Sequence, residues 1–523
     1  MGEPMKSDKS RIVVIGAGIG GLCAALRLAH AGCVVTVLEA AEGPGGKMRT
    51  LPSVAGAVDA GPTVLTMRPV FDALFADVGE TLADHLTLIP LPVLARHYWA
   101  DGTSLDLMAD PDASAANIET VFGPKAAEQF RAFSARTQRL YDAFDAPMMQ
   151  SASPSQRALT LQVLKSPRLL RDMAPHKTMA ALLHSSFTEP KLRQLFGRYA
   201  TYVGGSPYTA PALLSLISHS EARGVWAVAG GMAKLAQVIA GLAQAKGAVL
   251  HCGQVAKRIE QQGGRVSAVF TTLGKFPADI VVFNGDPRAL STGLLGDGVK
   301  KAVPVAGVEP RSLSAFVHAF AAVPKGPDLS HHTVFFGDDP QAEFSALARG
   351  ERPPDATLYI CAQDRTGGTP TGPERFEIIL NGPPTGSDKD TAQEIAACQT
   401  QVFARLAQFG LTFSPTPGAE SLTTPQGFNR LFPASNGSLY GRSPQGLTAG
   451  LKRPQARTLI PGLYLTGGGA HPGAGVPMAA LSARHAAGAI MTDLALLWTS
   501  RQTATPGGMS TGSAKTGRGP SRS

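Results

Sequence analysis

At 523 residues, with 44% hydrophobic residues and a formal net charge of +9, the chain is too long for one simple core and calls for two or three intertwined domains. No apolar run approaches the ~20 residues that cross a bilayer, and the polar start MGEPMKSDKS lacks the apolar stretch of a signal peptide. These features argue against spanning and secreted classes and lead to the expectation of a protein in the cytoplasm or on a cytoplasmic membrane surface.

After a flexible start over residues 1–10, RIVVIG (Arg11 to Gly16) is a continuous apolar run that predicts a strand buried on both faces. GAGIGG follows at once, then LCAALRLAHAG, whose Leu22, Ala25, Leu26 and Ala29 recur at helical spacing. VVTVLE is a second buried strand, ending in Glu39. In this strand–turn–helix–strand unit Gly16 permits the tight turn and Gly18, with Gly20 beside it, lets backbone approach a pyrophosphate. Gly21 lets helix and strand pack closely. The helix start offers free N–H groups and a positive dipole end to the phosphates. Glu39 is placed to accept hydrogen bonds from ribose hydroxyls. The unit predicts dinucleotide binding.

The chain continues AAEGPGGKMRT. Gly45 and Gly46 can bring a second loop onto the pyrophosphate, with Lys47 and Arg49 as cations beside it; a solvated basic turn is the alternative. An acid followed by a Gly-Gly-Lys/Arg turn resembles the extended fingerprint of FAD enzymes of the amine oxidase and carotenoid desaturase type. That resemblance implies FAD, bound non-covalently, rather than NAD. DAGPT (Asp59 to Thr63) is a turn whose Gly61 and Pro62 could edge the ring system. Residues 247–287 read as strand, strand, hairpin strand and a final buried strand, ADIVVFNG. In the family that this resembles, such a block completes the nucleotide domain, with the backbone at Val255 facing the adenine.

Residues 76–224 hold amphipathic stretches, among them EQFRAFSARTQRLYDAF and SQRALTLQVLKSPRLLRDM. In the latter, Leu159, Leu161, Val163, Leu164, Leu169 and Leu170 sit among Lys165, Arg168 and Arg171. A helix with an apolar face and a basic rim can lie in an anionic bilayer interface, or be a core helix with a solvated edge. Residues 301–454 supply the rest of a substrate region. There Asp364 and Arg365 are as suited to an internal ion pair as to a site.

Near the end, GLYLTGG predicts the last strand of the nucleotide domain, and GGGAHPGAGVPM (467–478) leads into an apolar helix over 479–497. Gly467, Gly468 and Gly475 let backbone lie against a flat ring, Pro477 sets the helix start, and Val476 and Met478 could offer N–H groups to it. His471 in this lid is the titratable candidate for the proton acceptor, with a capping or packing histidine as the alternative. The tail from 499 is basic and rich in Gly, Ser and Thr, which predicts disorder. An anionic membrane surface suits the charge better than nucleic acid, for no aromatic and basic residues interleave as a nucleic-acid groove needs. Cys23, Cys33, Cys252, Cys361 and Cys398 are scattered, with no C-x-x-C pair, which argues against a disulfide framework and a zinc site.

GLYLTGGGAHPGAGVPM resembles the C-terminal signature of bacterial phytoene-type carotenoid desaturases. RSLSAFVHAF, YICAQDR, ERFEIILNGPP and NGSLYGRSPQG resemble one branch, the 1-hydroxycarotenoid 3,4-desaturases. The resemblance runs from Arg11 to about Leu497. It implies an α/β fold with a Rossmann-like FAD domain assembled from 11–75, 225–300 and 455–498. An α+β substrate domain (301–454) and a helical, membrane-contacting region (76–224) complete it. The implied substrate is an acyclic hydroxylated carotenoid, the implied setting the inner or photosynthetic membrane, and the electron acceptor oxygen or a quinone. A phytoene desaturase or carotenoid isomerase of the same family, and a non-catalytic isoprenoid escort protein, are the alternatives.

Overall fold

The computed structural model describes residues 10–368, 370–387 and 389–503. The polar start 1–9 and the tail 504–523 lie outside the described residues. The β-branched run Arg11–Ile15 forms the centre of a five-stranded parallel sheet. Val34–Leu38 and Val249–His251 follow on one side, Ile280–Phe283 and Leu463–Leu465 on the other. Strands from both ends and the middle of the chain thus share one sheet, so the nucleotide domain is discontinuous.

The helix Ile19–His30 begins directly at Gly18 and lays its small residues Ala24 and Ala25, both fully buried, toward the C-terminal helix Val476–Thr503. That helix answers with buried Ala479, Ala480, Ala483 and Ala486, and small facing residues let two helices approach closely. It starts three residues earlier than expected and runs to Thr503, so residues 499–503, expected as disordered tail, are helical. The expected block at 247–287 forms the edge strand Val249–His251, an antiparallel meander (Ala256–Gln262, Arg265–Thr271, Gly274–Pro277) and the central strand Ile280–Phe283.

A second, larger sheet is mostly antiparallel. Its order is Thr412–Ser414, Ser314–Lys325, Glu374–Gly382, Leu358–Ala362, His332–Phe335, Val93–Tyr98 and Ser104–Met108. The last two strands come from the region expected to be helical, so segments 76–224 and 301–454 build one sheet in common. Apart from a short strand, Leu88–Pro90, the regular structure in the remainder of that region is helical. SQRALTLQVLKSPRLLRDM makes two helices, Gln156–Leu164 and Pro167–Met173, each started by a serine cap (Ser155, Ser166). The break between them follows from Pro167, which supplies no N–H to continue the first helix. Among the described residues no helix is long and apolar enough to cross a membrane.

Candidate active site

Three neighbouring parallel strands, Arg11–Ile15, Ile280–Phe283 and Leu463–Leu465, end at the same sheet edge. Gly16 and Gly467 leave that edge with φ of 96° and 97°, backbone that a side chain resists. Asn284 stands between the turns and donates from Nδ2 to the Gly16 carbonyl at 3.1 Å. A Cβ on Gly21 would lie 2.1 Å from the Gly16 oxygen, one on Gly20 2.7 Å from Gly467 Cα, and one on Gly467 2.5 Å from Asn284 Oδ1. Thr466 Oγ1 donates to the Gly20 carbonyl at 3.4 Å. The two ends of the chain are therefore in backbone contact.

The second glycine loop is zipped to the first, through Gly45 N to Ala17 O at 2.9 Å and a bridge between Gly18 and Gly45. Gly61 presses on that loop, since a Cβ there would meet the Lys47 oxygen at 1.9 Å. Asp59, in the same turn, caps the helix Met232–Ala245 by accepting from Met232 N (2.6 Å) and Ala233 N (3.1 Å). Gln363 holds the Asp59 backbone at N and O, at 3.0 and 2.9 Å. The carboxylate of Glu39 is buried and accepts from Ala17 N (2.6 Å) and Ala41 N (2.8 Å). Each oxygen keeps lone pairs for a further donor. Gln254 N donates to the Glu39 carbonyl at 2.7 Å, bringing Val255 alongside.

A single cavity of about 1980 Å³ runs through these elements. The residues singled out in the sequence for the cofactor line it, except Gly21, which packs behind the turn; His471 does not line it. His471 corrects the expectation of a proton acceptor. It is 3% exposed, and its Nε2 donates to the Ser151 carbonyl at 2.8 Å. Its ring stacks on His485 with centroids 5.8 Å apart. Burial pushes its pKa down, so the imidazole is neutral and clamps the segment 148–151 from outside the cavity.

Arg49 and Lys47 part company. Arg49 donates to Thr423 Oγ1 at 2.5 Å and lies over the Phe428 ring, while still lining the cavity beside the second glycine loop. Lys47 reaches the Leu439 carbonyl at 2.5 Å over the Phe432 ring and has no acidic ion-pair partner among the described residues. Burial pushes its pKa down to about 8, against the pull of Asp286. Asp364 and Arg365 do not pair with each other: they bind Arg375 and Glu374 of the neighbouring strand.

Several lining residues carried no signal in the sequence. Arg453 ties the lid to the loop at 439–442, donating to the Gly468 (2.9 Å), Tyr440 (2.8 Å) and Arg442 (2.9 Å) carbonyls. Tyr359 projects from the large sheet, its hydroxyl 2.7 Å from Thr63 Oγ1 and 2.6 Å from His332 Nδ1. Behind it the ligand-capable atoms of His331, His332 and Cys361 lie within 4.8 Å of one another. Cys361 Sγ and His331 Nε2 are 3.7 Å apart. Burial pushes both imidazole pKa values down and the thiol up, so the three form a neutral polar cluster.

The residues present fit a dinucleotide. The glycine cradle leaves no room for side chains, Glu39 is preset as an acceptor, and a half-buried lysine without an acidic partner stands in the wall. At the lid, the first intrahelical bond runs from Ala479 N to Gly475 O at 2.9 Å, so the amides of the preceding turn are free to point at a ligand.

A model of the flavin containing amine oxidoreductase family matches residues 19–367. The hydroxyneurosporene desaturase of Cereibacter sphaeroides is 57% identical over 94% of this chain and 99% of its own length. The 1-hydroxycarotenoid 3,4-desaturase of a Flavobacterium is 28% identical over 91% of this chain and 97% of its own. Among solved structures, cyclohexylamine oxidase from Brevibacterium oxydans superposes with a TM-score of 0.57 at 18% identity, over 93% of this chain and all of the other; that likeness speaks for the fold. On the family match and the near full-length relative, this chain belongs to the flavin-containing amine oxidoreductases, in their carotenoid desaturase branch, as an oxidoreductase whose cofactor is FAD.

Proposed function

We propose that the chain introduces the C3,4 double bond into 1-hydroxylated acyclic carotenoids, a reaction of the 1-hydroxyneurosporene to demethylspheroidene type. The observation that carries this reading is the single cavity, which joins the glycine cradle to apolar helix faces without a partition. On this reading Gly16, Gly18, Gly20, Gly45 and Gly46 pack against the pyrophosphate of FAD, with Lys47 as the nearest uncommitted cation. Glu39 holds the ribose and the Val255 backbone meets the adenine. Gly61, Pro62, Gly467, Gly468 and Gly475 to Met478 border the ring. When bound, FAD supplies the two-electron oxidant, with oxygen or a quinone as the final acceptor.

The rest falls to the chain. C4 of the substrate is allylic to the polyene, so hydride loss there leaves charge that spreads along the conjugated system, and C3 then yields a proton to solvent. The lid must hold C4 in reach, which converts an encounter into a positioned reaction. The N-terminus of the helix Val476–Thr503 favours negative charge nearby by roughly 0.3–2 kcal/mol. Much of the cavity lining is apolar.

The far end of the cavity is lined by Leu159, Val163 and Leu170. In the same two helices Leu161, Leu164 and Leu170 are 47%, 65% and 40% exposed, the last two also lining the cavity, with Arg157, Lys165, Arg168 and Arg171 exposed around them. This pattern supports attachment to the face of an anionic membrane, from which a lipid-borne substrate enters.

Incubation of the flavoprotein with 1-hydroxyneurosporene and, separately, with phytoene tests the reading by pigment analysis. A C3,4 double bond formed in the first substrate supports it. Conversion of phytoene alone, or isomerisation without loss of hydrogen, refutes it.

A further inference from the structure

The roof of the cavity is the large sheet, and its register sorts the lining residues into rows. Val317, Ile379 and Tyr359 are cross-strand partners and form one largely apolar row, tied to the turn Asp59–Thr63 by the bond from Tyr359 to Thr63. Two residues further along, Ala315 and Asn381 are partners in the next row. Residues two apart on a strand face the same way and are spaced ~7 Å, and Asn381 lines the cavity as Ile379 does.

Asn381 is oriented from behind. Its Nδ2 donates to Glu343 Oε1 at 3.1 Å. The other oxygen of Glu343 accepts from Thr357 N at 3.2 Å and Thr357 Oγ1 at 2.8 Å. Glu343 is 2% exposed; burial pushes its pKa up to about 6, which still leaves it mostly ionised at neutral pH. An ionised carboxylate only accepts, so the amide must turn its NH₂ toward Glu343. Its Oδ1 then faces away, with no hydrogen-bond partner among the described residues.

We infer that Asn381 is a specificity-determining residue, whose Oδ1 accepts a hydrogen bond from the hydroxyl of an oxygenated polyene end, and that Glu343 is the positioning residue that aims it. The inference rests on the reaction proposed above. In a 1-hydroxylated chain the oxygen lies only a few bonds from C4, so whatever reads it must sit within one strand step of the place where C4 reacts. With C4 under the row of Ile379 and Tyr359, beside the turn at Gly61 and Pro62, the row of Asn381 is that step. A hydrocarbon end would leave Oδ1 unpaired in an apolar surround, and a site built around such an acceptor rejects what cannot fill it.

The test compares kcat/KM for a 1-hydroxylated acyclic carotenoid with that for the hydrocarbon of equal conjugation, in wild type, Asn381→Leu and Glu343→Gln. The wild type is expected to prefer the hydroxylated substrate. Asn381→Leu should cut that preference roughly 10- to 100-fold, and Glu343→Gln should cut it less. Flavin content and melting temperature report folding. If Asn381→Leu fails to hold flavin, Glu343→Gln reads the same ratio. A preference unchanged in a flavin-loaded variant overturns the inference alone, as does a wild type without preference. Loss of flavin from both variants overturns it too, because the pair would then be scaffold. A wild type that forms no C3,4 bond in either substrate overturns the proposed reaction and this inference with it.

Discussion

Replacing Gly467 by alanine tests the contact between the two ends of the chain most directly. The residue has φ of 97°, which costs an L-residue about 1–2 kcal/mol. The new methyl would lie 2.5 Å from Asn284 Oδ1, so Asn284 must move and give up its bond to the Gly16 carbonyl. A buried acceptor left without its donor adds ~1–3 kcal/mol, for a total of about 2–5 kcal/mol. Gly468→Ala is the internal control: its Cβ would meet only Ala474 Cα, at 3.7 Å, an ordinary contact. Thermal unfolding of the flavin-free proteins separates them, with a loss of roughly 5 °C or more expected for Gly467→Ala and little change for Gly468→Ala. Titration with FAD should show weakened binding by Gly467→Ala as well. Equal melting of Gly467→Ala and wild type would refute the reasoning, since the turns would then have slack that these distances deny.

Glu39→Gln keeps the shape but discards the charge that receives Ala17 and Ala41, so FAD retention should weaken roughly 10- to 100-fold in apoprotein titrations. His471→Ala should leave turnover within about twofold at saturating substrate, because a neutral imidazole outside the cavity reaches no reacting atom; a large fall in kcat restores it as a catalytic candidate. Burial holds the pKa of His318, His331 and His485 down to about 4. The unfolded chain takes up these protons near 6.5 and the folded chain does not, so stability is full above that pH and falls as pH drops toward 4. The cost is up to ~3 kcal/mol for each fully buried ring, and a melting temperature flat between pH 7 and 4.5 would contradict it. Leu164→Glu places a charge on an exposed leucine and should reduce flotation with anionic liposomes without altering flavin content, whereas unchanged flotation at low salt would move the docking face elsewhere.

The nucleotide half of the site was legible because its demands are local. A strand that must end, a turn with positive φ and a helix that starts at once leave glycines at set spacing, and Gly16, Gly18, Gly20 and Glu39 all line the cavity. Asn284 carries no such signal, since its task, holding the Gly16 turn from 268 residues away, leaves no periodic trace. For His471 the sequence leaves two roles open, because proximity in sequence to a glycine lid says nothing of which way a side chain turns. In the fold it turns to Ser151, 320 residues earlier. Arg49 illustrates the same point, as its partner Thr423 is 374 residues distant. The strands Val93–Tyr98 and Ser104–Met108 were missed for another reason, because they pair with a sheet built two hundred residues later.

This division has a consequence for how specificity is stored in the molecule. The cradle is backbone against backbone, where almost any side chain is excluded, so it can say only that a flat dinucleotide binds. The roof is built of side chains whose neighbours are set by strand register: Ile379 beside Tyr359, and Asn381 beside Ala315. Substitutions there change the lining of the cavity while leaving every glycine contact intact. Tyr359 and Asn381 also draw their orientation from residues off their own strand, His332 and Glu343, so a change of substrate requires the pair to change together. Single substitutions at Asn381 should therefore lower discrimination more readily than they redirect it, because the buried Glu343 carboxylate would still demand a donor.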